Sequence, residues 1–277
     1  MAYNKTAWKA GDIVTSALLN KIEQGITDAD AFDLSDRIAK GVDANGDVVA
    51  GAIAEGAGTT ASGVDSHAEG MGTTASGSYS HAEGVGTTAS RSYSHAEGAG
   101  TTASGDNSHA EGGSTTASGN YSHAEGAGTT ASSVYSHAEG YDTAASGSCS
   151  HAEGSSTIAS SECSHAEGYS TTASGACSHA EGYNTTANHK AQHVFGEYNI
   201  VDTSSAAPIN KGRYIEIVGN GNANTDTRSN ARTLDWSGNE WIAGNYSANG
   251  SLTLGKGTND EVTITAAQLT QLLALLS

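Results

Sequence analysis

Residues 66–79 read SHAEGMGTTASGSY, and this 14-residue unit decides the fold because the chain repeats it without a gap. The segment Ser-His-Ala-Glu-Gly occurs nine times between His67 and His179, each copy 14 residues after the last. Degenerate copies at 53–56 and 193–196 extend the array to eleven rungs, over about residues 51–198. A fixed period of this kind is typical of solenoid proteins, in which each repeat packs against its neighbours.

Each unit divides into two five-residue segments separated by two-residue gaps, which suits two short strands joined by tight turns. Fourteen residues are too few for a helical repeat. Glycine at about every seventh position, as at Gly70 and Gly77, makes a long coiled-coil helix implausible. We therefore predict a mainly β protein, a parallel β-roll or solenoid of about 11 rungs, with a rod length of roughly 50 Å at the usual strand spacing.

Side chains alternate across a strand, so the unit also predicts which residues face the interior. In the first segment, Ser66 and Ala68 share the inner side, and His67 and Glu69 share the outer side. In the segment 73–76, the first Thr and the Ala face inward, and the second Thr and the Ser face outward. We expect the hydroxyl group of the inner Thr to form a hydrogen bond within the roll.

The composition limits the classes of function. The 277 residues include 36 Gly and only 2 Phe, and the net charge is −18 with His neutral. A strongly acidic chain is a poor ligand for nucleic acid or for an anionic membrane surface. No run of 18 apolar residues is present, and residues 1–10 lack the apolar stretch of a signal peptide, which predicts synthesis in the cytoplasm without export and no membrane insertion. The three cysteines, Cys149, Cys163 and Cys177, are predicted to be free thiols.

The unit resembles the head repeat of trimeric autotransporter adhesins of the YadA type, whose repeats are similar to Ser-Val-Ala-Ile-Gly followed by Ala-x-Ala-x-Gly. Here His67 and Glu69 stand at the Val and Ile positions, and Thr73 and Ala75 stand at the alanine positions. The resemblance covers about half of the chain. It implies a left-handed parallel β-roll that forms a homotrimer, with the Val and Ile columns facing the trimer axis.

The His and Glu columns differ from the aliphatic columns of that family, and two interpretations follow. Either the two residue types pair across a trimer interface by charge-assisted hydrogen bonds, or the sheet faces solvent. We favour the interface, because the His column does not vary over nine copies whereas the turn column that begins at Met71 varies freely. The predicted trimer-interface ladder, here called the His/Glu ladder, comprises His67, Glu69, His81, Glu83, His95, Glu97, His109, Glu111, His123, Glu125, His137, Glu139, His151, Glu153, His165, Glu167, His179 and Glu181.

The ladder leads to expectations about pH dependence, metal binding and catalysis. If the paired histidines are protonated, the rod loses stability as the pH rises through their folded pKa. Imidazole and carboxylate columns also suit metal ions, but a ninefold site favours structural pairing, so we predict no metal site and no cofactor. Ser66 and His67 face opposite sides, so a nucleophile–base pair cannot form within a rung, and we predict that the chain is not an enzyme.

The N-terminal segment 1–50 has a different pattern. A helix near Ser16–Phe32 is predicted from the apolar spacing after Thr15. The string that contains Trp8, Ile13, Leu19, Ile22 and Ile26 resembles the N-terminus common in tail and baseplate proteins of phages that infect Gram-positive hosts, where it is a virion-attachment element. A plain trimerising helix is the alternative.

Residues 199–277 form the third predicted segment, a small β-domain. It contains a strand at 214–218, a turn at 219–222, a hairpin over 233–243 and strands near 251–254 and 262–265, and ends in a short helix over 266–276. Residues 218–239 resemble the segment that follows such repeats in phage structural proteins. Trp236, Trp241 and Tyr246 are candidate receptor contacts, and a role in the domain core is the alternative.

Together these features lead us to expect a homotrimeric tail-fibre or baseplate adhesin of a bacteriophage, located in the virion. Its expected partners are other tail proteins, through the N-terminus, and a host cell-surface glycan or protein. A spacer that carries another receptor-binding protein and a bacterial surface adhesin are the alternatives.

Overall fold

The computed structural model describes residues 38–42, 45–204, 210–243, 251–254 and 262–265, together with Gln268 and Gln271. The described part of the chain is mainly β and is dominated by a β-solenoid, as predicted. The predicted helix over 16–32 and the attachment residues Trp8, Ile13, Leu19, Ile22 and Ile26 lie outside these ranges. Of the predicted C-terminal helix, only Gln268 and Gln271 are described, so it stays a prediction.

Each turn of the solenoid contains one long strand and one two-residue strand. The long strands after Val48–Ala57 are His67–Met71, His81–Val85, His95–Ala99, His109–Gly113, His123–Ala127, His137–Tyr141, His151–Ser155, His165–Tyr169, His179–Tyr183 and His193–Glu197. The short strands are Thr60–Ala61, Thr74–Ala75, Thr88–Ala89, Thr102–Ala103, Thr116–Ala117, Thr130–Ala131, Ala144–Ala145, Ile158–Ala159, Thr172–Ala173 and Thr186–Ala187.

The register follows the repeat, since each residue pairs in parallel with the residue 14 positions later, as His67 does with His81 and Thr74 with Thr88. The amides of His67 and Thr74, for example, donate 2.9 Å hydrogen bonds to the carbonyls of Ser80 and Thr87 in the next rung. The strand His193–Glu197 has no short strand after it in the ten-stranded sheet of short strands. The solenoid therefore has about ten complete turns rather than eleven.

The long-strand sheet continues beyond the repeats at both ends and reaches 15 strands. At its start, Ile38–Val42 pairs antiparallel with Val48–Ala57. We did not predict the strand Ile38–Val42, because it lies in the segment 1–50 that we assigned to helical attachment. At its end, Tyr214–Asn220 pairs in parallel with His193–Glu197, and Asn230–Asp235 and Glu240–Ile242 follow antiparallel.

The C-terminal strand predictions are confirmed with small changes of boundary. The strand predicted at 214–218 runs on to Asn220, so the turn that we expected at 219–222 begins later than predicted. The hairpin over 233–243 is formed by Asn230–Asp235 and Glu240–Ile242. Ser251–Leu254 and Val262–Thr265 pair antiparallel in a separate two-stranded sheet.

The interior of the roll is as narrow as the alternation pattern predicted. Ala68 and Ala75 and their equivalents in the following rungs are completely buried, and the last turns are closed by Val194 and Ile217, also completely buried. Ser66 is buried too, and its hydroxyl group donates a 2.7 Å hydrogen bond to the carbonyl of Gly63. Methyl groups and small hydroxyls therefore fill the core of the repeated rungs, and larger side chains enter it only at the C-terminal end.

The hydrogen bonds expected from the inner Thr column are mostly absent. Thr59 donates to the carbonyl of Gly56 at 3.3 Å, and Thr185 donates to that of Glu181 at 3.0 Å. The intervening eight hydroxyls are buried and have no partner in the described chain, so the prediction was wrong for Thr73, Thr87, Thr101, Thr115, Thr129, Thr143, Thr157 and Thr171. The core is too narrow to offer these hydroxyls an acceptor. The carbonyls of the strands already accept backbone hydrogen bonds between rungs, and Ala methyl groups line most of the inner wall.

One glycine column is required by the backbone. Gly70 has φ +110°, and a Cβ atom there would lie 2.1 Å from the carbonyl oxygen of Gly84 in the next rung. Both conditions exclude any other residue. All eleven equivalent positions, from Gly56 to Gly196, are glycine with φ between 96° and 115°.

A second turn column holds non-glycine residues in the left-handed region. Tyr79 has φ 59° and is exposed, and its ring stacks 5.0 Å from that of Tyr93. Cys149, Cys163 and Cys177 occupy the same column farther along the rod, and all three are free thiols, as predicted, and exposed.

Candidate functional site

The His/Glu ladder lies on the outer face of the long strands, as predicted from the alternation. Each His Nε2 lies 3.2–4.0 Å from a carboxylate oxygen of the Glu in the preceding rung, twelve residues earlier. Successive imidazole rings from His67 to His193 stack with centroids 4.6–5.0 Å apart. His193, in the degenerate rung that we left out of the ladder, continues the column through Glu181.

The ladder is only partly satisfied within one chain. The His side chains are 34–42% exposed and the Glu side chains 30–38% exposed. The Nε2 atoms of eight of these histidines are buried, however, and have no hydrogen-bond partner among the described residues. His109 and His179 alone make the bond, to Glu97 at 3.3 Å and to Glu167 at 3.2 Å.

Three ladder histidines have a lowered pKa. Burial lowers the pKa of His95, His137 and His165, and the neighbouring histidines add to it, whereas the adjacent glutamates oppose the shift. The folded chain therefore favours neutral imidazole at these positions. Within one chain, the lowered pKa gives a pH dependence of opposite sign to the one expected for histidines that are paired between chains and protonated.

The predicted pairing between chains is a separate matter. The structure contains one chain, and in it each histidine already has a carboxylate neighbour of its own chain. The contact of this face with other protomers stays a prediction.

A network of amide side chains closes the end of the solenoid. The side chain of Asn199, completely buried, accepts a 2.8 Å hydrogen bond from the amide of Thr186 and donates to the carbonyl of the same residue at 3.2 Å. It thus replaces the missing next strand of the short-strand sheet. Gln192 accepts from the amide of Asn188 at 2.9 Å and donates to the carbonyl of Tyr214 at 3.2 Å.

Sequence reasoning missed this cap, although a signal was present. Asn188, His189 and Gln192 stand where most earlier rungs carry Ser, Gly and Ser, so the consensus fails at three positions of a single rung. Departures of this kind mark the place where a solenoid must satisfy its last backbone groups with side chains.

Asp202 anchors the segment that follows the cap. Its carboxylate accepts hydrogen bonds from the amides of Arg213 at 2.7 Å, Ser204 at 3.0 Å and Tyr214 at 3.1 Å. Burial alone would raise the pKa of Asp202, but these hydrogen bonds outweigh it and lower the pKa. The carboxylate is therefore a fixed negative group that holds two chain segments together.

His189, Asp202 and Ser204 meet at this point but not as a catalytic triad. The Nε2 atom of His189 lies 3.3 Å from the Ser204 hydroxyl and 4.0 Å from a carboxylate oxygen of Asp202. A triad needs the serine and the acid on opposite ring nitrogens, and here Nδ1 is buried without a partner in the described chain. The group serves as a structural cap.

The candidate receptor contacts differ in how exposed their side chains are. Trp241 is 56% exposed and helps to line a pocket of about 520 Å³ with Asp202, Arg213 and Asn230. Trp236 is half-buried, with the ammonium group of Lys211 4.1 Å from its ring centroid. Tyr246 lies outside the described residues.

A scan against protein-family models finds no matching family, and a search of curated proteins finds no matching relative. In the described part of the chain, no helix has the length and apolar character needed to cross a membrane. Functional inference therefore rests on the residues and their geometry.

Proposed function

We propose that this chain is a non-enzymatic, homotrimeric fibre protein of a bacteriophage tail or baseplate, which holds a host-binding end away from the particle. The observation that carries the proposal is the uninterrupted 15-stranded sheet from Ile38 to Ile242. A sheet without a break joins the two ends rigidly, and its eleven parallel long strands alone span roughly 50 Å. A rigid spacer with distinct ends is what a fibre component requires.

The outer face of the ladder supports assembly into a trimer. A third or more of most ladder side chains is exposed in a single chain, and eight buried Nε2 atoms lack a hydrogen-bond partner in the described region. Packing of identical ladders about a shared axis would cover this surface and supply carboxylates from neighbouring protomers. A trimer also multiplies weak contacts with a receptor.

The end of the sheet supports a contact role for Trp241. Its exposed ring borders the pocket that Arg213 and Asn230 also line, so an apolar platform lies beside polar groups. Aromatic rings with adjacent hydrogen-bonding groups suit a cell-surface glycan or protein.

Immunogold labelling of particles of the phage that encodes the chain tests the assignment to the virion. We expect label at the tail tip or baseplate of each particle. Label on the bacterial envelope in the absence of particles would support the surface-adhesin alternative and refute the proposal.

A binding assay with fluorescent full-length protein and host cells separates an adhesin from a spacer. We expect Trp241→Ala to weaken binding at least tenfold, by loss of one buried aromatic contact in each protomer. Tyr141→Ala removes a similarly exposed ring from the side of the rod and is the matched control. Full-length protein in the tail that does not bind cells would identify a spacer instead.

A further inference from the structure

The repeated spacing of imidazole and carboxylate groups along the ladder has a use beyond pairing. In several intervals between rungs, two histidines and the glutamate between them bring their ligand atoms within 4.8 Å of one another. Examples are His67–Glu69–His81, His109–Glu111–His123 and His165–Glu167–His179. From these contacts we infer that the ladder is a linear array of binding sites for a divalent transition-metal ion such as Zn²⁺.

The distances within each group suit such an ion after a small adjustment. Ligands at 2.0–2.2 Å from a tetrahedral zinc ion lie about 3.4 Å apart. The contact between His Nε2 and Glu carboxylate is already close to this, for example 3.5 Å from His81 to Glu69 and 3.4 Å from His165 to Glu153. The ligand atom of the second imidazole lies within 4.8 Å of the others, so it must move closer by up to about 1.4 Å.

The unpartnered nitrogen atoms point to the same conclusion independently. Eight of the ten Nε2 atoms in the column are buried without a hydrogen-bond partner in the described chain, yet each faces a carboxylate. A buried polar atom without a partner is unfavourable, and a metal ion would satisfy its lone pair.

Charge balance and the number of ligand atoms set an upper limit on the number of ions. Neutral imidazoles are the ligands of a metal, so each rung contributes one negative charge, from its glutamate. Two rungs therefore balance one divalent ion. Each histidine offers one ligand atom, so the ten histidines of the column, which excludes His189, hold at most five ions per chain, one in every second interval.

All of these ligands come from one chain, so the array does not depend on the proposed trimer or on the proposed function. Two imidazoles and one carboxylate leave the fourth position of a tetrahedral ion open. Water, or a ligand from a neighbouring protomer, completes it. The sequence pattern led us to predict no metal site. The close ligand atoms and the unpartnered nitrogen atoms favour a metal site instead.

Isothermal titration of EDTA-treated full-length protein with zinc chloride tests the inference. We expect saturable binding of two to five ions per chain, reversed by EDTA. The decisive variant replaces every second histidine by glutamine, at His81, His109, His137, His165 and His193. It removes one ligand from every group, and we expect affinity to fall roughly tenfold or more.

The matched control replaces five outward threonines of the short-strand sheet by serine, at Thr74, Thr88, Thr102, Thr116 and Thr130, and should bind zinc as the wild type does. If the first variant fails to fold, the complementary set at His67, His95, His123, His151 and His179 tests the same point. Electron paramagnetic resonance of the wild type with Cu²⁺ gives a further readout, since two imidazole nitrogens produce a characteristic hyperfine pattern. No saturable zinc binding by the wild type, or no nitrogen hyperfine from bound copper, would overturn the inference.

Discussion

The Nε2 atom of His109 lies 3.3 Å from a carboxylate oxygen of Glu97 in the preceding rung, while its ring stacks 4.8 Å from that of His123. Each ladder histidine is thus held between an attractive carboxylate and other imidazoles that would repel it if both were protonated. At His95, His137 and His165, where burial also lowers the pKa, this arrangement makes the stability of the rod depend on pH.

Acid should destabilise the solenoid through three histidines of the ladder. The folded pKa of His95, His137 and His165 is lowered, chiefly by burial. Stability is therefore complete above the unfolded pKa of about 6.5, and is lost as the pH falls through that value towards the folded pKa. Melting temperatures measured by circular dichroism in EDTA should fall between pH 8 and pH 5.5.

The control for this prediction replaces the same three histidines by glutamine, which should flatten the pH dependence over that range. A wild-type melting temperature that stays constant or rises on acidification would contradict the lowered pKa values.

Two neighbouring glycines should differ greatly in their tolerance of a methyl group. A Cβ atom on Gly126 would lie 2.1 Å from the carbonyl oxygen of Gly140, whereas nothing lies within 3.8 Å of one on Gly128. We expect Gly126→Ala to cost about 3 kcal/mol or more, and Gly128→Ala about 1 kcal/mol, from the left-handed backbone alone. Chemical denaturation measures both, and equal effects would contradict the stacking geometry.

The buried threonine hydroxyls offer a paired test of packing against hydrogen bonding. Thr129 has no partner for its hydroxyl in the described chain, whereas Thr185 donates to the carbonyl of Glu181 at 3.0 Å. Thr129→Val should be neutral or stabilise the fold by up to about 1 kcal/mol, and Thr185→Val should destabilise it by about 1 kcal/mol. The same sign for both substitutions in urea denaturation would refute the difference.

The amide cap should control fraying from the C-terminal end of the solenoid. Asn199→Ala leaves the amide and the carbonyl of Thr186 without the partners that now bond them at 2.8 and 3.2 Å. We expect a loss of about 2 kcal/mol and faster hydrogen exchange in the last rungs, with the rungs near His67 unchanged. Uniform exchange along the rod would show that Asn199 does not act as a cap.

The sequence predicted the solenoid well because every determinant of it is local and repeated. The 14-residue period set the register, and alternation assigned Ala68 and Ala75 to the interior and His67 to the outside, all as observed. The glycine column that contains Gly70 does not vary, because the carbonyl oxygen of Gly84 in the next rung leaves no room for a Cβ atom on Gly70. The sequence pattern alone does not show this contact.

The features that the sequence did not reveal depend on contacts between distant segments. The cap joins Asn199 to Thr186 and Asp202 to Tyr214, and no period relates these residues. The Thr73 hydroxyl was misjudged because its environment depends on how closely the two sheets approach. The lowered pKa of His137 likewise depends on burial and on stacking with His151, which the repeat count does not measure.

Native mass spectrometry of the purified full-length protein tests the central claim, that identical chains assemble into a fibre, most directly. We predict a single species at three times the 27.8 kDa mass of the chain. A stable, folded species at the mass of one chain in dilute buffer would contradict it.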